Sequence, residues 1–80
     1  MFYYSGMKLS EYLSEFKISQ QDAAIGIGVS AGRVGHFCRG EDIPPPKVCV
    51  RIERWSNGRV ARPELRPDDF LDFWPELADK

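Results

Sequence analysis

The chain has 80 residues, of which 42% are hydrophobic, 29% charged and 12% aromatic. A chain this short buries only about 60–65% of its unfolded surface, which fits one small core and disfavours the water-excluding pocket of an independent enzyme. Formal net charge is -1, but it is unevenly spread: residues 31–66 carry eight cations against four anions, and residues 67–80 carry one cation against five anions. A phosphate backbone responds to such local fields rather than to the total. The aromatic share argues against disorder. No apolar run reaches the ~18 residues of a membrane span.

Residues 1–6, Met-Phe-Tyr-Tyr-Ser-Gly, lack the basic and long apolar regions of a secretory leader and read as an N-terminal extension. Leu9, Tyr12, Leu13 and Phe16 follow at i, i+3, i+4 and i+7, so an amphipathic helix is expected over Lys8 to Phe16. Ser19 can cap a second helix, Gln20 to about Ile25, with Ala23 and Ala24 inward and Gly26 and Gly28 ending it. Ser30 can cap a third, Ala31 to about Arg39, with Val34, Phe37 and Cys38 inward and Gly40 as its stop.

Glu41 to Pro46 is a stiff connector, and its last proline suits the first turn of a fourth helix reaching Trp55 or Ser56. That helix turns Val48, Cys49, Ile52 and Trp55 inward. Asn57-Gly58 signals a turn, and Arg59 to Ala61 offers the one strand-like fragment. Pro63 can open a short turn, Pro67 a last short helix through Phe70, Leu71 and Trp74, and Pro75 closes it. The expected organisation is an extension (1–6), a helical domain (7–69) and an acidic aromatic tail (70–80).

Cys38, Cys49 and His36 do not have the spacing of a tetrahedral zinc site, and two cysteines make no disulfide framework. Free thiols in a reducing compartment are expected, with no metal or cofactor. One histidine and two separated cysteines leave no credible set of acid, base and nucleophile, so no enzyme is expected.

The window from Gln20 to Phe37 carries the functional signal. A helix-turn-helix packs two short helices across a tight turn. Ala24 is small enough for the crossing, Gly28 can take the positive φ of the turn, and Ile27 and Val29 seal it. Val34 and Phe37 anchor the second helix. These residues are explained by packing; the outward ones bear on binding. In a DNA-binding pair, the start of the second helix meets base edges in the major groove. Arg33 can donate a bidentate pair to guanine, worth about 1–3 kcal/mol of discrimination.

Ser30 and His36 can donate to bases or phosphates, and Ala31 can touch a thymine methyl. Gly32 and Gly35 let the backbone approach closely, each at about 1 kcal/mol of helix stability. Gln20 and Gln21 sit where free helix amides meet a phosphate, and Arg39 and Lys47 would grip the flanking backbone. Arg51, Arg54, Arg59 and Arg62 read mainly as solvated or paired with Glu53 and Glu64.

Beyond this window stand Ile43-Pro44, Cys49-Val50-Arg51-Ile52-Glu53-Arg54, Asn57-Gly58-Arg59-Val60-Ala61-Arg62 and Glu64-Leu65-Arg66-Pro67-Asp68. With the preceding helices, they resemble the YdaS-type family of Cro-like prophage regulators, some described as antitoxins. The likeness covers about Lys17 to Asp69. The family usually has a longer polar side chain where Gly32 or Gly35 stands, and a small residue where Trp55 stands.

The resemblance implies an all-α fold, a small bundle of four to five short helices of the lambda-repressor-like DNA-binding class. It also implies a homodimer or higher homo-oligomer that represses transcription from palindromic double-stranded operator DNA. The location implied is the bacterial or bacteriophage-infected cytoplasm, at the nucleoid and away from membranes. The competing expectation is an interaction module that neutralises a toxin partner encoded beside it. The aromatic tail reads as core or as a dimer contact, facing away from DNA because it is acidic.

Overall fold

A computed structural model describes residues 7–79. The extension expected over 1–6 lies outside the described residues. These form α1 (Leu9–Glu15), α2 (Gln20–Ile27), α3 (Ala31–Arg39), α4 (Pro46–Trp55), α5 (Arg62–Leu65), α6 (Phe70–Phe73) and a closing 3-10 helix (Pro75–Asp79). The fold is all-helical; among the described residues there is no strand, and no helix is long and apolar enough to cross a membrane.

Local chemistry accounts for most of the boundaries. The Glu11 carboxylate accepts the Lys8 amide at 2.9 Å and so caps α1. Ser19 Oγ accepts from the Asp22 amide at 3.0 Å, and Ser30 Oγ accepts from the Arg33 amide at 3.2 Å. Pro46 occupies the first turn of α4, where its missing N–H costs nothing. At the far end of α4, the buried Ser56 hydroxyl donates to the Glu53 carbonyl and accepts from the Val60 amide. That brace holds the Asn57-Gly58 turn, in which both residues have positive φ, and leaves Val60 and Ala61 buried rather than extended in a strand.

One apolar cluster joins the helices: Leu9, Tyr12 and Leu13 from α1, Ala23, Ala24 and Ile27 from α2, Val34 and Phe37 from α3, Val48 and Ile52 from α4, with Val60. The closest packing is between α2 and α3. Between them Gly28 takes φ 90°, where an L side chain is strained, and donates its amide to the Ala24 carbonyl at 2.7 Å.

Several sequence expectations change. α2 runs through Gly26 to Ile27, because Gly26 serves a close approach: the Trp55 indole lies where a Cβ would stand. Phe16 is 44% exposed rather than inward. The helix ends one residue earlier, and the left-handed Lys17 turns the chain away. The Phe16 ring instead packs edge-on against Tyr12 at 4.8 Å, with Arg59 over it at 5.2 Å. Cys38 and Trp55 are only partly buried. The last α-helix is a single turn that ends before Pro75, as expected, and Pro75 goes on to open the 3-10 helix.

Candidate nucleic-acid interface

α3 is amphipathic in a way that leaves one face free. Val34, Gly35 and Phe37 are buried, whereas Gly32, Arg33, His36 and Arg39 are exposed. No other described segment covers Gly32, around which no heavy atom would touch an added Cβ. Gln20 and Gln21, at the start of α2, are also exposed. Gln20 joins the α3 group directly, since its Oε1 lies over Gly35, as does the Arg39 guanidinium.

Two expectations about this face are corrected. Gly35 is buried under the Gln20 and Arg39 side chains, so its backbone is not an open approach. Ala31 packs against the core cluster and is half-buried, which withdraws much of its methyl from an incoming base. The Ser30 hydroxyl caps α3 as expected by accepting from Arg33, which leaves its O–H able to donate. Lys47 is exposed on the first turn of α4, and no ion pair or hydrogen bond ties its side chain to the α3 group.

The sequence reading missed what holds the cations. Glu41 and Asp42, just past the helix end, close back on α3. The Arg39 fork donates Nε–H to one Glu41 oxygen at 3.1 Å and Nη2–H to the other at 3.2 Å, the bidentate geometry in which arginine binds carboxylates best. His36 Nε2 lies 3.8 Å from the same carboxylate, and Arg33 pairs with Asp42 at 3.6 Å. Arg33 also lies over the Phe37 ring, 5.3 Å from its centroid.

A carboxylate at a helix C-terminus opposes the helix dipole; the Arg39 hydrogen bond offsets this and holds the Glu41 carboxyl below the usual range. All these groups are at least two-fifths exposed, so the pairs are weak and exchange readily with other anions. The available signal was spacing: two acids within three residues of Arg39.

Arg51 is the other residue the sequence under-weighted. Its guanidinium reaches over the α2–α3 turn, 3.3 Å from where a Gly28 Cβ would stand. Arg66 has a structural role. It grips Asp69 through two hydrogen bonds at 2.9 and 2.8 Å and donates to the Pro44 carbonyl at 2.7 Å, tying the connector to the tail.

The cysteines are free. Cys49 donates to the Pro44 carbonyl at 3.3 Å, and burial pushes its thiol up to about 11. Among the described residues no three His, Cys, Asp or Glu side chains converge as metal ligands do. Comparison with protein-family models, curated proteins and solved structures finds no match for the chain.

Proposed function

We propose that α2, the Gly28 turn and α3 act as a helix-turn-helix of the YdaS-like, Cro-like kind, and that the chain is a dimeric transcriptional repressor. The observation that carries this reading is the exposed cationic face of α3, anchored from behind by Val34 and Phe37. In this reading Arg33 reads a base edge, and His36 and Arg39 reach base or phosphate. Gln20 and Gln21 present α2's start to the backbone. Lys47, exposed on α4 with no ion pair among the described residues, supplies a phosphate contact.

On docking, phosphates take the place of Glu41 and Asp42, an exchange that exposed ion pairs permit at small cost. A dimer would set two α3 helices in successive major grooves, about 34 Å apart, and block polymerase. The test is a titration of a mixed-sequence duplex at rising salt. Three to five phosphate contacts per duplex give a log–log slope of about -3 to -4.5, whereas a slope near zero rejects the reading.

A second reading, a module that binds a protein such as a toxin, is favoured by the apolar tail, where Leu71 and Phe73 are 43% and 45% exposed. Its test is co-purification with the product of an adjacent reading frame.

A further inference from the structure

The tail and the outer side of α2 and α4 have complementary surfaces. α6 buries none of its residues. The tail is held by arginines: Arg62 lies over the Trp74 ring at 5.0 Å and Arg66 over the Phe73 ring at 5.2 Å. Leu71 and the part of the Phe73 ring that Arg66 leaves uncovered are exposed near Asp68 and Asp72 in sequence, carboxylates that make no ion pair or side-chain hydrogen bond among the described residues. Apolar residues kept in water on a segment outside the core mark a contact surface.

The outer side of α2 and α4 is the counterpart. Ile25 is 78% exposed at a solvent position of α2, where a β-branched residue gains nothing for the helix. Beside it the Trp55 indole lies along Gly26. Arg51 reaches over the neighbouring Gly28 turn, and Arg54 stands exposed one turn further along α4; neither has an ion pair among the described residues.

The two surfaces do not meet within one chain. The tail sits on the Glu53 side of α4, through Arg62, which pairs with Glu53 at 2.9 Å. Arg51 lies about 160° around that helix from Glu53, over Gly28. We infer that the acidic tail docks on the Ile25–Trp55–Arg51–Arg54 strip of a second copy of this chain, reciprocally in a symmetric pair. A symmetric pair makes the contact twice and so doubles the area buried toward the ~1,000 Å² that a specific interface needs. A duplex offers little apolar surface beyond thymine methyls to cover Ile25, whereas Leu71 and Phe73 supply it. The inference does not rest on the nucleic-acid reading, because association is measured without DNA.

Sedimentation equilibrium of the full chain, with far-UV circular dichroism on each variant, tests it. The wild type is expected to form a dimer that weakens with salt. D68K/D72K and R51E/R54E should each raise the dimer Kd at least about tenfold, and combining all four should restore it to within about threefold. Should the charge-reversed chains lose helix signal, Ile25→Ser, at an exposed position, must still weaken the dimer. A wild type monomeric at ~1 mM overturns the inference, as does a folded combination no better than either pair. So does R51E/R54E that dimerises normally yet loses a mixed-sequence duplex, which would assign the strip to nucleic acid.

Discussion

The α2–α3 region and the segment after Ser56 are held together by different physics. In the first, small and β-branched residues interlock, serine hydroxyls cap both helices, and a left-handed glycine sets the turn. In the second, helices of four residues are fastened by arginines: Arg62 to Glu53 and Trp74, Arg66 to Asp69, Pro44 and Phe73. Apolar packing barely notices salt or acid, whereas these partly buried ionic clamps lose their carboxylate charge in acid and are weakened in part by salt. The part held by packing is therefore the one presenting the candidate binding face, and the part held by arginines carries the exposed Leu71 and Phe73.

The contrast is sharpest in stability. Ile27→Ala or Ile52→Ala should cost about 2–5 kcal/mol, since each empties fully packed space, whereas Trp74→Ala should cost about 1 kcal/mol. Urea unfolding followed by circular dichroism checks both, and equal losses would break the comparison. Gly28→Ala comes next, at about 1–2 kcal/mol for a left-handed site.

The arginine clamp should show itself in acid. Arg66 holds the Asp69 carboxyl below its ordinary range. A carboxylate with a lowered folded pKa stabilises above its unfolded value, near pH 4, and loses that contribution as pH falls through the folded one. Arg66→Ala should lower stability at pH 7 and flatten the decline below pH 4, as read by melting temperature against pH.

Smaller effects concern the α3 face. E41Q/D42N should raise affinity for a mixed-sequence duplex severalfold by releasing Arg33 and Arg39, measured by fluorescence anisotropy. Unchanged affinity would mean that the acids do not compete. Among the thiols, Cys38 should alkylate at least about tenfold faster than Cys49, because thiolate and access set the rate.

The sequence was legible where a residue acts on its own neighbours. Ser19 and Ser30 as caps, Pro46 as a helix start, Gly28 as the turn and the α3 anchors Val34 and Phe37 all follow from local rules. What was lost depends on partners distant in sequence or on chain direction after a helix end. Gly26 looks like a stop until Trp55 is placed against it. Phe16 fits an inward period that ends one residue short, and Gly35 looks open until Gln20 folds across it. The α3 face was read from its cations alone, and the acids that meet them were assigned to a connector because prolines follow.

The most direct measurement is a selection of bound sequences from random duplexes, followed by Kd values for the selected and a scrambled site with Arg33→Ala and Lys47→Ala. The account predicts that Arg33→Ala collapses the ratio of the two affinities while scrambled binding persists, and that Lys47→Ala weakens both equally. No enrichment of any sequence, or both variants binding as the wild type does, would contradict it.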